Sequence, residues 1–503
     1  MSTVAISRDG SSALSRLKEM RDHGGAHLTR GLTDETILGF LAESTDLAVA
    51  IERAYDAFLE LKESHDEFLA LDESEQILQS QQGLTNFYPT DAVNPYVAVA
   101  GAGPWIVTLK GAVVYDCGGY GMLGLGHAPP AVLDAMNKPH TMANVMTPSI
   151  SQLELVKRLH EEIGHTRAGG FPFATFICMN SGSEAMTVAS RIADINTRIL
   201  TDPGSRHEGR EICGLTLAGS FHGRTDRPAR FSDSTRANYE KHLATFRENE
   251  YLLTVEPNNV EALEATFAKA DADDVFIEAF FMEPVMGEGN PGLAIEPGFY
   301  QRARELTREH GTMFVVDSIQ AGLRANGVLS ITDYPGFRDL DPPDMESYSK
   351  SLNAGQYPLS VLALSDSCAS AYRRGLYGNT MTTNPRAMDI GAAVMDSLSD
   401  ELRENIRVRG RELLAKLGAL AGDTDGAIVG AQGTGLLLSC ELDKRFKVYG
   451  SDSTEDYLRR IGLSVIHGGE HSLRYTPVFN ITEKEVELVV SLTRQALIDG
   501  PTH

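Results

Sequence analysis

Apolar residues in the middle of the chain, from about 170 to 365, form short runs that alternate with longer stretches of helical spacing. The runs are FATFICMN, ICGLTLA, DDVFIEAFFMEP, TMFVVD and LSVLALS. The stretches between them include SEAMTVASRIADINTRIL and PGFYQRARELTREHG. Strands that alternate with helices predict βαβ units and a mainly parallel sheet covered on both faces, which is an α/β fold. Ligands of such a sheet gather at the carboxyl ends of its strands.

The two flanks of the chain have different patterns. Residues 1–88 are largely helical in pattern and contain no proline before Pro89. Thr33 can cap a helix that begins DETILGFL, and DLAVAIERAYDAFLELKESHDEFLAL has apolar residues at helical spacing. After Pro385 a long helical stretch precedes GLLLSCELD and a final helix after ITEKEVELVV. We predict an N-terminal helical extension, with a packing or subunit-interface role rather than a catalytic one, and a smaller α+β domain over 386–503.

Charge and composition narrow the classes of function. The 503 residues are 42% hydrophobic and 23% charged, as in an ordinary globular protein of two or three structural units. The 45 Lys and Arg against 69 Asp and Glu give a net charge of −24, which repels nucleic acid and anionic lipid. No stretch approaches the roughly 20 apolar residues of a membrane-spanning helix. We therefore expect no nucleic-acid or membrane partner, and an anionic substrate must be attracted by local arginines.

Cysteine usage and the first residues bear on the compartment. Five cysteines are spread singly along the chain, without a CxxC pair or a metal-ligand spacing. We expect reduced thiols and no bound metal. The opening MSTVAISRDGSSALSRLKEMRDHGG lacks the continuous apolar stretch of a signal peptide. Together these features predict a cytoplasmic protein.

The segment FICMNSGSEAMTVASRIADI places small and polar residues between a predicted strand and a predicted helix. Backbone N–H groups at a helix N-terminus can bind an anion, which the helix dipole also favours. The turn that contains Ser181, Gly182 and Ser183 is therefore a candidate anion site. On its own it is equally typical of an ordinary strand-to-helix turn.

Asp317 ends the predicted strand TMFVVD and is followed by Ser318-Ile319-Gln320. A carboxylate at the end of a buried strand is costly unless a cation or a strong donor meets it, and a protonated pyridine ring would do so. An Asp that caps the turn is the alternative interpretation.

Lys350 lies among small and polar residues in ESYSKSLNAG. A lysine must lose its proton to form an imine, and partial burial near other cations lowers its pKa as that chemistry requires. A solvated loop lysine is the alternative for this residue taken singly.

Together these motifs resemble the class III, ornithine-aminotransferase-like branch of the fold-type I pyridoxal-phosphate enzymes. The likeness runs from roughly Asn94 to Thr493, about four-fifths of the chain. The motifs occur in the family's order: Tyr115-Asp116, Leu125-Gly126-His127, Asn180-Ser181-Gly182-Ser183-Glu184-Ala185, Phe221-His222-Gly223-Arg224-Thr225, Glu283-Pro284-Val285-Met286-Gly287-Glu288-Gly289, Asp317, Lys350, Thr380 and Asn384-Pro385.

The resemblance implies a large domain around a mainly parallel seven-stranded sheet and a small α+β domain built from both flanks. The corresponding divisions are 1–88 for the helical extension, 89–130 for the N-terminal part of the small domain, 131–385 for the large domain and 386–503 for the C-terminal part. The implied cofactor is pyridoxal 5'-phosphate. Lys350 would form the Schiff base and move the proton during the reaction, and Asp317 would hold the pyridine nitrogen.

Further residues have roles implied by the resemblance. Their side chains and backbone would contact the cofactor: Ser181, Gly182 and Ser183 at the phosphate, Phe221 on the ring, Gln320 at the ring hydroxyl, with His222 and Glu283 also at the cofactor. Thr380 would reach the phosphate of the neighbouring subunit, which implies a homodimer with active sites at the subunit interface.

The implied substrates are a small-molecule amine and a 2-oxo acid. Arg224 matches the position that holds a distal carboxylate, and Arg474 matches the one that holds an α-carboxylate. Glu288 would pair with Arg474 when no α-carboxylate is bound, and Tyr120 would line the pocket. We expect a terminal-amine donor such as ornithine, lysine, a diamine or an ω-amino acid, with 2-oxoglutarate as acceptor.

Several residues depart from the family pattern. Ser318 replaces the usual acidic residue, Met286 replaces the usual glutamine, and SLNAGQYPLS replaces the glycine-rich stretch after Lys350. Two alternatives therefore stay open. One is another pyridoxal-phosphate reaction on the same frame, catalysed by a decarboxylase, an aminomutase or a lyase, and the other is a non-catalytic binding protein.

Overall fold

A computed structural model describes residues 10–141, 145–247 and 251–502. The predicted N-terminal extension is helical where it is described, and residues 1–9 of it lie outside the described part. Its helices are α1 (Gly10–Asp22), α2 (Asp34–Leu41), α3 (Thr45–Ser64), α4 (Asp66–Leu69) and α5 (Glu73–Gln81). Thr33 caps α2 as predicted, because its side chain accepts a hydrogen bond from the N–H of Thr36. The stretch predicted as one helix over 46–71 is divided at His65, whose backbone is not helical.

The extension rests on an antiparallel sheet of β1 (Ala98–Ala102), β2 (Trp105–Thr108) and β3 (Val113–Asp116). Ile51 and Phe58 of α3 are buried, whereas Leu59 is 39% exposed. Lys110, in the turn between β2 and β3, is 2% exposed and donates to backbone carbonyl oxygens of the extension. This buried amino group ties the helices to the sheet.

The C-terminal flank completes the same sheet. Its helices are α15 (Asp400–Asp423), α16 (Thr454–Ile461) and α17 (Glu483–Asp499), and its strands are β11 (Ile428–Thr434), β12 (Leu437–Leu442), β13 (Leu463–Ser464), β14 (Ile466–Gly468) and β15 (Ser472–Tyr475). β13 pairs in parallel with β3, and the other four strands form a second sheet in the order β11-β12-β15-β14. One hydrophobic core includes Leu17 and Phe58 together with Leu463 and Val489. Both flanks therefore share a sheet and a core, while the domain boundaries at 88, 130 and 385 stay predictions.

The large sheet has seven strands in the order β4-β10-β9-β8-β7-β5-β6. They are β4 (Thr175–Met179), β5 (Glu211–Leu217), β6 (Leu252–Val255), β7 (Val275–Met282), β8 (Met313–Asp317), β9 (Met345–Tyr348) and β10 (Ser360–Leu364). All are parallel in direction except β10, which runs antiparallel to β4 and β9. The predicted α/β fold with a mostly parallel seven-stranded sheet is confirmed.

Helices cover both faces of this sheet. They are α6 (Pro130–Met136), α7 (Ile150–Glu162), α8 (Gly182–Thr201), α9 (Asp226–Ala229), α10 (Arg236–His242), α11 (Val260–Ala272), α12 (Pro297–His310), α13 (Asp366–Ala371) and α14 (Pro385–Asp396). Ala279 and Phe281 of β7 contact the α8 side, whereas Phe280 contacts the side of α11 and α12. Burial on both faces explains why these strands are nearly continuous apolar runs. No helix in the described ranges is long and apolar enough to cross a bilayer.

Candidate active site

A cavity of about 410 Å³ opens at the carboxyl ends of β4, β5 and β8. All the residues predicted to contact the cofactor within one subunit line it: Ser181, Gly182, Ser183, Phe221, His222, Glu283, Asp317, Gln320 and Lys350. These residues come from five separate loops, and the parallel sheet brings them together as the strand order requires.

The turn from β4 to α8 is built by a capping box. The Ser181 side chain accepts from the N–H of Glu184, and the Glu184 carboxylate accepts from the N–H groups of Asn180 and Ser181. A Cβ on Gly182 would lie 2.7 Å from the Ile319 side chain, so the close approach of the two loops requires glycine. The turn is thus an ordinary strand-to-helix turn, and it also places a helix N-terminus at the cavity, where an anion is stabilised.

Asp317 lies 4% exposed at the floor of the cavity. Its Oδ2 is 2.9 Å from His222 Nδ1, and its Oδ1 accepts from Ser347 Oγ and from the N–H of Ile319, both at 3.1 Å. His222 Nε2 in turn lies 3.1 Å from Thr216 Oγ1. The carboxylate therefore caps its turn, as the alternative interpretation stated, and is also held in one orientation as a buried negative charge.

Lys350 follows β9 and faces the same cavity. Its backbone is in the left-handed region, with φ of 45°, a conformation that costs free energy for a non-glycine residue and is concentrated at functional sites. Burial, followed by the positive charge of Arg474, lowers the pKa of Lys350 to about 8. A substantial fraction of the amine is therefore neutral near physiological pH and able to act as a nucleophile.

Glu283 connects two loops at the cavity wall. Its carboxylate, on a residue 2% exposed, accepts from the N–H groups of Phe221 and Gly287 at 2.9 and 2.8 Å. Burial and then the charge of Asp317 raise the pKa of Glu283 to about 8. Glu283 thus positions the Phe221 loop and the loop that precedes Glu288.

Arg474, on β15, lies beside the cavity and is 2% exposed. Its Nη1 donates to the carbonyl oxygen of Gly287 and to Gln320 Oε1, and its guanidinium lies 5.6 Å from the Tyr120 ring centroid. Burial lowers the pKa of Arg474, and the charge of Glu288 is the largest influence in the opposite direction. Its Nε is buried without a hydrogen-bond partner in the described part of the chain. A buried donor without a partner is costly, so this Nε calls for a specific explanation.

Arg224 and Glu288 form a pair at the mouth of the site. Arg224 Nη2 lies 3.7 Å from Glu288 Oε1, and its guanidinium stacks 5.2 Å from the Phe221 ring and 5.6 Å from the Phe87 ring. Among the described residues Glu288 is paired with Arg224 and not with Arg474, so the expected role of Glu288 at Arg474 stays a prediction. The reason for this pairing is that the Gly287 carbonyl and Gln320 hold Arg474, while Arg224 offers Glu288 a partner at 40% exposure.

Thr380 does not line the cavity of its own subunit, as far as the described residues show. The segment before it is nevertheless fixed to the turn from β4 to α8, because Glu184 Oε1 accepts from Tyr377 Oη at 2.8 Å and Asn379 Nδ2 at 3.0 Å. The same carboxylate therefore organises both the turn and the segment that precedes Thr380.

Sequence reasoning missed one wall of the cavity. Asn353, Gln356, Tyr357 and Pro358 line it, together with Met122. The first four lie in SLNAGQYPLS, the stretch that departs from the family's glycine-rich form. That departure was the available signal, because a change of composition directly after Lys350 indicates a change in the cavity wall.

The chemistry of the cavity matches the parts of pyridoxal phosphate. A helix N-terminus suits its phosphate, the buried carboxylate of Asp317 suits its protonated ring nitrogen, and the amine of Lys350 with its lowered pKa suits its aldehyde. These features together define a pyridoxal-phosphate enzyme.

Comparison with known proteins narrows this class. Residues 87–497 match the family model described as Aminotransferase class-III, and the chain belongs to that family. It is a pyridoxal-phosphate-dependent aminotransferase. It is 28% identical over 404 residues to an acetylornithine aminotransferase of Neisseria meningitidis serogroup B, covering 79% of this chain and 93% of that protein. It is also 28% identical over 428 residues to an ornithine aminotransferase of Staphylococcus epidermidis, covering 83% and 98%.

Solved structures support the fold. The ornithine aminotransferase of Toxoplasma gondii superposes with a TM-score of 0.72 at 22% identity, covering 88% of this chain and 98% of that one. An acetylornithine aminotransferase of Elizabethkingia anophelis gives 0.66 at 22% identity, covering 85% and 99%.

Proposed function

We propose that this enzyme transfers the terminal amino group of a donor such as ornithine, lysine, a diamine or an ω-amino acid to 2-oxoglutarate. The observation that carries the proposal is the arrangement of two arginines, Arg224 and Arg474, beside a cavity that already contains Lys350 and Asp317. The names of the relatives, ornithine and acetylornithine aminotransferases, support a donor of this class.

The bound cofactor supplies an electron sink for the negative charge that develops at the substrate carbon. Asp317 keeps a proton on the ring nitrogen, because a carboxylate fixed by His222 and Ser347 favours the charged ring. Lys350 holds the cofactor and then serves as the base and acid that moves the substrate proton. Its pKa of about 8 lies close to working pH, as proton transfer in both directions requires.

Two guanidinium groups can recognise the two ends of a five-carbon diacid. Arg474 is buried and has a donor without a partner, so it suits the carboxylate next to the reacting carbon. Arg224 is more exposed and stacked on Phe221, so it suits the distal carboxylate. A negative global charge makes such local cations necessary. In the same proposal Glu288 competes with the distal carboxylate for Arg224 and Tyr120 forms part of the pocket.

Reaction type is the point on which the alternatives differ. A panel of amines and ω-amino acids, each offered with 2-oxoglutarate or pyruvate, tests the proposal, with glutamate and alanine measured as products. Glutamate formed in a 1:1 ratio with the aldehyde product of the donor supports it. Carbon dioxide release or ketone formation without consumption of a 2-oxo acid would instead establish a decarboxylase or a lyase, and an unchanged visible absorbance with every amine would indicate a binding protein.

A homodimer belongs to the same proposal, as does a cytoplasmic location in keeping with five free thiols. Apolar side chains are exposed on α7, at Ile150, Leu153 and Val156, and near Thr380, at Leu376 and Met381. In the proposed dimer a second copy of the chain covers these side chains and receives Thr380 at its own turn from β4 to α8.

Mixed dimers of Lys350→Ala and Thr380→Val subunits test this arrangement. If Thr380 acts across the interface, the site of the Thr380→Val subunit has its own Lys350 and receives Thr380 from the Lys350→Ala subunit. If Thr380 acts within its own subunit, no site in the mixture has both residues. We expect activity above the sum of the two separate variants at limiting cofactor. A mixture no more active than that sum would place Thr380 at its own subunit's site.

A further inference from the structure

Arg324 is a buried cation that makes no ion pair with a carboxylate in the described part of the chain, although Asp116 is near enough to act on its charge. It lies in the turn after β8, four residues beyond Gln320, and is 0% exposed. Its hydrogen-bond partners in the described ranges are backbone carbonyl oxygens rather than carboxylates, and its Nη2 has no partner at all. Burial lowers the pKa of Arg324 to about 9. Because desolvating a guanidinium without an anion is costly, its presence calls for a specific explanation.

The carbonyl oxygens that Arg324 binds belong to three distant segments. Nε donates to Gly121 at 3.4 Å, and Nη1 donates to Leu436 at 3.1 Å and to Pro477 at 2.5 Å. The guanidinium also lies 5.1 Å from the Phe479 ring centroid. One side chain from the large sheet thus joins a loop of the N-terminal flank to two loops of the C-terminal flank.

Two of these segments carry a residue of the proposed substrate pocket. Gly121 directly follows Tyr120, and Pro477 lies three residues after Arg474. These loops are also bonded to each other, since the N–H of Thr476 donates to the carbonyl oxygen of Cys117 at 2.9 Å. Arg324 therefore bridges the two loops that carry Tyr120 and Arg474, in addition to the direct bond between them.

The third segment supports the loop that carries Glu288. Leu436 lies in the turn between β11 and β12, and this hairpin holds the loop after Glu288 by side-chain hydrogen bonds. Thr434 Oγ1 donates to the carbonyl oxygen of Gly292 at 3.0 Å, and Ser439 Oγ donates to that of Pro291 at 2.7 Å. Arg324 therefore contacts the Glu288 loop indirectly, through the hairpin to which it is bonded at Leu436.

The Tyr120 turn needs such support. Tyr120 has φ of 52° and Gly121 has φ of 82°, and the left-handed region is costly for tyrosine. The Gly121 carbonyl accepts from Arg324 Nε and also from Ser351 Oγ at 2.9 Å. Ser351 is the neighbour of Lys350, so this single carbonyl links the turn to the lysine segment.

We propose that Arg324 is a positioning residue for substrate recognition, which sets the relative placement of Tyr120, Glu288 and Arg474 without touching the substrate. The inference rests on the proposed function, since it assigns a support to the proposed diacid pocket. Arginine suits the task because its planar fork can donate in several directions at once, whereas a lysine offers a single ammonium that cannot span three segments.

Arg324→Met tests the proposal because methionine keeps much of the volume and removes the donors. The measurement is the dissociation constant of glutarate, a five-carbon diacid that cannot react, for the cofactor-loaded enzyme. We expect glutarate to bind at least 10-fold more weakly, and KM for 2-oxoglutarate to rise by a similar factor. The turnover number kcat and the cofactor affinity should stay within about 3-fold of the parent, and the visible absorbance band should be unchanged. The glutarate affinity of Arg324→Lys should lie between those of the parent and Arg324→Met.

Arg304→Met is the matched control. Arg304 is 7% exposed and bonded to Asp344 at 2.8 Å, away from the cavity. This variant should lower the melting temperature without changing glutarate affinity. If Arg324→Met does not fold, Ser351→Ala carries the test, because it removes the other donor to the Gly121 carbonyl and should weaken glutarate binding several-fold.

Parent-like glutarate affinity in a folded, cofactor-loaded Arg324→Met, or in Ser351→Ala where Arg324→Met does not fold, would overturn the proposal. If the parent itself binds no glutarate, the diacid assignment fails instead. The role of Arg324 is then tested by titrating the cofactor-loaded enzyme with an amine and following its visible absorbance. The amine concentration that gives half of the absorbance change should rise in Arg324→Met and stay constant in Arg304→Met.

Discussion

Burial and a neighbouring positive charge together govern the pKa of the Lys350 amine. Burial and the positive charge of Arg474 lower the pKa of Lys350 to about 8. A neutral nearby side chain removes the second of these causes, so Arg474→Met should raise that pKa and leave less neutral amine at pH 7.5.

The rate at which apoenzyme captures pyridoxal phosphate, followed by its visible absorbance, measures this change. We expect the midpoint of the rate against pH to lie near 8 in the parent and higher in Arg474→Met. The control is Arg227→Met, which alters a half-buried arginine paired with the buried Glu278 on α8's side of the sheet. Coincident pH profiles of parent and Arg474→Met would show that Arg474 has no influence on the lysine.

Substitutions of Arg224 and Glu288 should change the rate of reaction with the diacid 2-oxoglutarate in opposite directions. Removing one partner of a buried charge pair costs on the order of 2–5 kcal/mol, and Arg224 is 40% exposed, so solvent screening should reduce the cost to about 1–2 kcal/mol. Arg224→Ala should therefore lower kcat/KM for 2-oxoglutarate by roughly 5–30-fold. Glu288→Gln should act in the opposite direction, because it releases the Arg224 guanidinium that it pairs with at 3.7 Å. Single-turnover rates with 2-oxoglutarate check both. Loss of rate in Glu288→Gln would mean that Glu288 orients Arg224 rather than competing with substrate.

At the scale of elements, the buried carboxylate on β9 predicts a dependence of stability on pH. Glu346 is 0% exposed and accepts from Ser318 Oγ, Ser330 Oγ and the N–H of Ile331. Burial raises its pKa to about 7 from 4.5. Between these values the folded protein holds a proton that the unfolded chain has released, so the stabilising contribution is complete below about pH 4.5 and is lost as pH rises through about 7.

Glu346→Gln, which stays neutral, should therefore gain stability relative to the parent as pH rises from 5 to 8, by at most on the order of 3 kcal/mol. Melting temperatures of the two apoenzymes across this range measure the effect. Glu441→Gln, at an exposed position of β12, serves as control, and its melting temperatures should run parallel to those of the parent. A difference in melting temperature between Glu346→Gln and the parent that stays constant from pH 5 to 8 would show that the Glu346 carboxylate is ionised over this whole range.

The same strand explains a limit of sequence reasoning. Apolar runs predicted β4, β5, β7, β8 and β10, because strands buried on both faces leave a continuous hydrophobic signal. β9 reads MESY and gives no such signal, yet all four residues are buried. Glu346 and Ser347 of this strand have partners far from them in sequence: Ser318 and Ser330 donate to Glu346, and Ser347 donates to Asp317. Such partners are visible only in three dimensions.

Motif order indicated residues that do line one cavity, but it did not reveal the contacts between loops. The pairing of Glu288 with Arg224 depends on how the Gly287 carbonyl engages Arg474, and the sequence contains no trace of that choice. Arg324 drew no attention either, because a single arginine in IQAGLRANG has no periodicity or motif to mark it. Local patterns predict elements and catalytic frames, whereas long-range hydrogen bonds decide the pocket.

At the scale of the whole molecule, the net charge of −24 opposes the approach of an anionic substrate. Salt screens this long-range repulsion, while buried pairs inside the site are screened much less. The ratio of kcat/KM for 2-oxoglutarate to that for a diamine donor should therefore rise between about 0.02 and 0.3 M NaCl, on the order of 2–5-fold. Steady-state rates at constant pH measure the ratio. A fall with salt would show that the local field of the arginines already dominates the encounter.

The two-residue strand β13, which lies beside β3, has a consequence for how the protein is made. A ribosome releases β3 and the helices above it long before Leu463 and Val489, with which they share one hydrophobic core. Until those late residues emerge, the apolar face of the early segment has no permanent cover, and contacts this distant in sequence form slowly. Nascent chains that stop short of β13 should therefore be the ones that chaperones retain and proteases remove.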